Sequence, residues 1–190
     1  MFSRKTLALI SSLIIVLVAL FVLSYSTDQR TPSPAPTSQP QPTPVAQTVI
    51  QLSPNPVSLT SSSSGTVDIT MDTSTNEVTA VQVEILYDPK VLTNVSIRPG
   101  TFFTSPVPLL NTIDREEGRI SYALAIAPAQ APLKGSGTVA TIVFSKNAAS
   151  TATQTELKLL PRTLVAAKGV GPSVLKSATG TTITLSPSSN

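Results

Sequence analysis

The 190-residue sequence contains no cysteine, no histidine and no tryptophan. Without Cys there is no disulfide framework, no thiolate metal site and no lipoprotein processing. Without His the commonest general base and the commonest zinc ligand are missing. A triad built on His cannot be assembled. Aromatics are scarce, with five Phe and three Tyr, and no row of them forms a platform for sugar rings. No dense acidic loop of the EF-hand type occurs. The formal charge is +3, yet from Thr48 onward ten Lys/Arg stand against nine Asp/Glu. That balance leaves no basic field for nucleic acid. The sequence therefore assigns no catalytic residues, no metal site and no cofactor, and any function must reside in architecture, location and surface.

What is present begins with "MFSRKTLALISSLIIVLVALFVLSYS". Arg4 and Lys5 precede an uncharged run of 17 residues, Leu7 to Leu23. With its flanks to Tyr25 this run matches the length needed to cross a hydrocarbon core at 1.5 Å per residue. The basic flank, residues 1–6, is expected in the cytoplasm and the remainder outside. A cleaved signal peptide is the alternative, because Ser24-Tyr25-Ser26 offers small residues near a cut. The apolar run exceeds the usual signal core, which favours an uncleaved single-pass anchor over residues 7–25. Residues 26–48 follow as a Pro-rich linker, with Pro32, Pro34, Pro36, Pro40, Pro42 and Pro44. Each Pro removes a donor and fixes φ, so neither helix nor sheet is expected. As polyproline II, at about 3.1 Å per residue, it would reach on the order of 60 Å. It would hold a folded head, residues 49–187, away from the bilayer.

Within the head the pattern changes to short alternating runs. In "GTVDITMDT" Val67, Ile69 and Met71 face one side. In "VTAVQVEILY" Val81, Val83, Ile85 and Tyr87 oppose Gln82, Glu84 and Leu86. In "GRISYALAIA" Ile120, Tyr122, Leu124 and Ile126 oppose Ser121, Ala123 and Ala125. "GTVATIVFS" sets Ala140, Ile142 and Phe144 against Val139, Thr141 and Val143. "TVIQLSP", "VLTNVSI", "TELKLL" and "GTTITL" complete the series. Period two marks strands with one buried face. Such a set predicts an all-β antiparallel sandwich. The turn Tyr87-Asp88-Pro89 reads as a corner: Tyr87 ends the inward row, Asp88 bonds backbone donors ahead, and Pro89 stops the ladder. "NTIDREEGRI" reads as a solvated hairpin tip around Gly118. Asn94-Val95-Ser96 matches a glycosylation acceptor inside a predicted strand. Phe102 and Phe103 are expected to plug the sandwich.

The order of these pieces resembles a cohesin domain, the receptor module of cellulosome scaffolds. The matching segments are "VEILYDPKVLTNVSIRPGTFF", "GRISYALAIA", "GSGTVATIVFSKN" and the closing "GTTITL". The resemblance spans roughly Val49 to Leu185. It implies a nine-stranded jelly roll and a protein partner, the dockerin, docked on the outer face of one sheet. That face includes the strand before Tyr-Asp-Pro. The resemblance places the family's partner-contacting Asn and Asp at Ala80 and Gln82, and a later acidic residue near Ile126. This chain departs from the family at all three.

The partner-binding candidates are Gln82, Glu84, Ser121, Ala123, Ala125 and Lys158, all at outward positions of strands that the family joins in one sheet. Ser121, Ala123 and Ala125 would form a flat floor, with Glu84 and Lys158 as charged margins. The expected function is that of a membrane-anchored, extracytoplasmic, non-catalytic attachment module for a dockerin-like protein. The alternatives are a carbohydrate-binding module tethering to polysaccharide and a purely structural envelope protein.

Overall fold

A computed structural model describes residues 45–60 and 64–186. The predicted membrane span, and the predicted linker up to residue 44, lie outside the described residues. Twelve strands form the described part: β1 Thr48–Ser53, β2 Val57–Leu59, β3 Ser64–Asp72, β4 Val78–Leu86, β5 Leu92–Pro99 and β6 Val107–Asp114; then β7 Arg119–Ala125, β8 Ser136–Lys146, β9 Gln154–Leu159, β10 Leu164–Ala167, β11 Leu175–Thr179 and β12 Thr181–Leu185. No helix occurs among the described residues.

The strands build two sheets. One runs β11-β1-β3-β8-β5, the other β2-β12-β9-β4-β7-β6 with β10 also paired to β4. The expected sandwich is present, but with twelve strands rather than nine. It is also not wholly antiparallel. β1 pairs β11 in parallel, and β12 pairs β2 in parallel. These parallel contacts lie along the seam where the first and last of the described strands meet.

The alternation read from sequence sets the core. Val67, Ile69 and Met71 from β3 and Ile142 and Phe144 from β8 are buried, as are Val81, Val83 and Ile85 from β4. Ile120, Tyr122 and Leu124 from β7 join them. Dry packing of two such faces is the main driving force for a sandwich, at roughly 25 cal/mol per Å² of apolar area removed from water. Phe103 is buried and Phe102 packs partly buried against the core, their rings edge-to-face at 5.4 Å. Both therefore plug the sandwich. On β8, Val139 and Ala140 are both buried, so strict alternation fails there. The pairing of β3 with β8 slips between Ile69 and Thr70, opposite this point.

The Asp-Pro corner fixes the end of β4. Tyr87 is buried, and its N–H donates to Gly118 O at 2.8 Å. Lys90 N–H donates to Asp88 Oδ1 at 2.8 Å, and Leu92 N–H to Asp88 O at 2.9 Å. The chain thus turns within one residue of the Pro and returns Val91 and Leu92 to the core. The hairpin tip forms beside it. Asp114 Oδ1 accepts from Glu116 N at 2.9 Å and Glu117 N at 3.0 Å. Asn94 is exposed and has a positive φ of 51°, at an irregularity in β5.

Candidate partner-binding face

The outer face of the β10-β4-β7-β6 half-sheet can be built row by row from strand register. Directly paired residues point to the same side of a sheet. The first row is Ala166, Ala80, Ala125 and Val107. Next comes Leu164, Gln82, Ala123 and Leu110. Glu84, Ser121 and Thr112 form the third. Lys158, Leu86, Arg119 and Asp114 form the fourth. All six sequence candidates fall on this face. The rows follow one another about 7 Å apart along each strand.

Two candidates sit deeper than alternation suggests. Ala123 is buried although it points outward. Its methyl lies between the longer Gln82 and Leu110 of the adjoining strands. Glu84 is only 5% exposed, so it is not a charged margin. Its Oε2 accepts from Ser121 Oγ at 2.8 Å, and its Oε1 from Gln82 Nε2 at 3.4 Å. Lys158 is exposed at the end of the face, as expected.

The sheet is interrupted beside Glu84. β9 pairs β4 at Ile85 and Leu86, and β10 pairs it from Gln82 back to Val78. Between them the chain turns, and Thr163 fills the gap in the ladder. Glu84 N–H donates to Thr163 Oγ1 at 3.2 Å, and Thr163 Oγ1 lies 3.4 Å from Glu84 O. Leu160 N–H donates to Glu84 O at 2.8 Å. Thr163 leaves no signal in the sequence, because the link spans 79 positions.

The apolar part of the face is likewise not marked by any sequence pattern. Among the described residues the exposed large hydrophobic ones are Val45, Leu86, Val107, Leu109, Leu110 and Leu164. All but Val45 belong to β4, β6 or β10, and register puts Leu86, Val107, Leu110 and Leu164 on this one face. The floor is therefore small side chains ringed by aliphatic ones, with a buried carboxylate in its middle. An open cleft of about 630 Å³ adjoins it past Leu86 and Lys158, bounded by Tyr87, Asp88, Glu117 and Glu156. Burial pushes the Tyr87 phenol above its ordinary range. Arg115 opposes that shift and Asp114 adds to it. Among the described residues no group of acidic side chains is arranged to hold a metal.

The family model for the cohesin domain matches residues 56–185, from the residue before β2 to the end of β12. The chain belongs to the cohesin family. Solved cohesins share its fold. A cohesin from Clostridium acetobutylicum superposes with a TM-score of 0.59 at 24% identity, over 74% of this chain and 93% of its own. The third ScaC cohesin of Acetivibrio cellulolyticus, solved with the ScaB dockerin, gives 0.62 at 18% identity, over 74% of this chain and 100% of that one. A non-cellulosomal cohesin from the archaeon Archaeoglobus fulgidus gives 0.58 at 14%, over 75% and 93%. No curated protein matches the chain. Cohesin domains are binding modules and not enzymes, and the family's partners are dockerins. On β4 the carboxylate of this face stands at Glu84, two residues beyond Gln82.

Proposed function

We propose that this cohesin is a membrane-anchored, extracytoplasmic attachment module that holds a dockerin-like protein on the outer face of β10, β4, β7 and β6. One observation carries the reading: the exposed aliphatic residues of the head gather on that face around Ala123 and Ala125. A solvated sheet face with no partner usually carries polar side chains, and an apolar patch with a polar rim marks an interaction site. The cohesins of Clostridium acetobutylicum and Acetivibrio cellulolyticus in the superposed complexes are solved with dockerins. The anchor rests on the uncharged run from Leu7 to Leu23 behind Arg4 and Lys5. A carbohydrate role has less support. The described aromatics Tyr87, Phe103, Tyr122 and Phe144 are buried, and Phe102 is partly buried, so no ring is offered as a sugar platform.

The test is calorimetry of the full chain in detergent against a panel of dockerin modules. At least one dockerin should bind, and Ala123→Arg or Leu110→Arg should weaken it about 100-fold or more, since each puts a charge at the centre of a desolvated contact. A dockerin whose binding ignores both substitutions would place the contact elsewhere. Retention on cellulose or peptidoglycan with no dockerin bound would replace a protein partner with a polysaccharide.

A further inference from the structure

We infer that Glu84 is the specificity centre of this face, and that it selects a partner presenting one Lys or Arg set between apolar side chains. The inference rests on the docking face proposed above and goes beyond it by naming the partner's central chemistry. A carboxylate on the outer side of a sheet normally reaches into water. Glu84 is 95% removed from it, with 5% exposure remaining. An ionised carboxylate offers roughly four acceptor positions. Two are taken here, both by neutral donors, the Ser121 hydroxyl and the Gln82 amide. No cation is in ion-pair contact with it: the ion pairs among the described residues join Arg119 to Glu117 and Lys134 to Glu77, and the basic residues of this face, Arg119 and Lys158, stand one row away, beside Leu86.

The surroundings sharpen this requirement. Along β4, Glu84 is followed by the exposed Leu86. In the preceding row stand Leu164 and Leu110, either side of Gln82 and Ala123. A partner that covers these aliphatic groups must also cover Glu84 and strip its remaining water. Burying an unpaired charge is costly, and an opposite charge with hydrogen bonds offsets that cost. An apolar or acidic group over Glu84 is therefore penalised, and a neutral hydroxyl adds only a third neutral donor. A Lys ammonium or Arg guanidinium supplies both the charge and donors for the two free acceptor positions. Apolar side chains about 7 Å to either side of it would meet Leu86 and the Leu164–Leu110 row.

The experiment displays the dockerin of the Acetivibrio cellulolyticus complex with its cohesin-facing positions randomised, and selects it on the immobilised full chain. Lys or Arg should be enriched at one facing position in clones that bind wild type. Those clones should lose about 30-fold or more in affinity on Glu84→Gln, which keeps the side chain's shape and an acceptor for Ser121. The enrichment is read on the wild-type chain, so it does not depend on the variant folding. Clones that lose binding to Ala123→Arg yet show no basic enrichment overturn the role of Glu84 and leave the docking face standing. So do basic clones indifferent to a folded Glu84→Gln. Failure to recover any clone, or clones indifferent to Ala123→Arg, overturns the docking face and the inference together.

Discussion

Gly118 carries more of the fold than its place in a hairpin tip suggests. Its φ is +67°, and a Cβ there would run into the carbonyl oxygen of Tyr87 and close on the ring of Pro89. The same residue's carbonyl accepts from Tyr87 N–H at 2.8 Å. Gly118→Ala must therefore strain the backbone or push the Asp-Pro corner away from the tip. It should cost about 1–3 kcal/mol, read as a lower urea midpoint. Asp114→Ala removes only solvated turn bonds and should cost less. Tyr87 and Tyr122 give a pH signature. Burial raises both phenols above their ordinary value, most of all through lost hydration. Below pH about 10 folded and unfolded chains both keep these protons. Above it the unfolded tyrosines ionise first, the unfolded state binds fewer protons, and stability falls as pH rises through the folded values. Urea midpoints between pH 8 and 11.5 should show that fall, and Tyr87→Phe/Tyr122→Phe should flatten it. At this scale the sequence was readable wherever a residue's neighbours are local. The Asp88 turn bonds and the inward Tyr87 followed from composition and parity. The burial of Glu84 did not, because parity states which face a side chain leaves by and says nothing of how deep that face lies.

At the scale of elements, β4 is the strand on which the half-sheet depends. β7 lines one edge along its whole length, while β9 and β10 share the other. Thr163 bridges the break between those two with its hydroxyl, accepting from Glu84 N–H. Thr163→Val keeps the shape and leaves that buried donor unmatched. The expected loss is about 1–3 kcal/mol, and Thr163→Ser should recover most of it. Hydrogen exchange gives an independent measure, since the Glu84 amide should lose protection in Thr163→Val before its neighbours Val83 and Ile85 do. A similar contrast separates the elements that could be read from those that could not. β3 alternates without interruption, and β4 and β7 each keep an inward row at every second residue, Val81-Val83-Ile85 and Ile120-Tyr122-Leu124, so period two found them. β6 is an edge strand exposed on nearly every residue, contains Pro108, and slips register between Pro108 and Leu110. Without a buried face it leaves no periodic trace. β2, with three residues, and β10, with four, are too short for any period to appear. Most of the apolar rim of the candidate site was lost for this reason: Leu110, Val107 and Leu164 lie on β6 and β10.

For the whole molecule, the proposed placement outside the membrane has a consequence that a single residue exposes. Arg30 is the only Lys or Arg between Lys5 and Lys90. It lies between the apolar run and the sandwich, within a stretch whose prolines oppose helix and sheet. Lys90, the next basic residue, sits at the Asp-Pro corner, where its N–H is bonded to Asp88 and its carbonyl accepts from Asn147 Nδ2 at 3.1 Å. A brief trypsin treatment of intact cells should therefore cut first after Arg30 and release one fragment that begins at Thr31. The released fragment should carry the complete sandwich and retain whatever dockerin binding the full chain has. The anchor should remain with the membrane fraction as a short piece. If the chain is instead processed as a signal peptide, the head appears without trypsin and begins near Thr27. If the sandwich lies in the cytoplasm, trypsin releases nothing until the membrane is permeabilised. N-terminal sequencing of the released material separates the three outcomes, because start sites at Thr31, near Thr27 and nowhere correspond to a tethered, a freed and an internal receptor. The tethered outcome also sets how the face works. A head carried on a chain of about twenty residues is confined near the surface, and a partner with a second attachment there would bind at an effective concentration fixed by that tether.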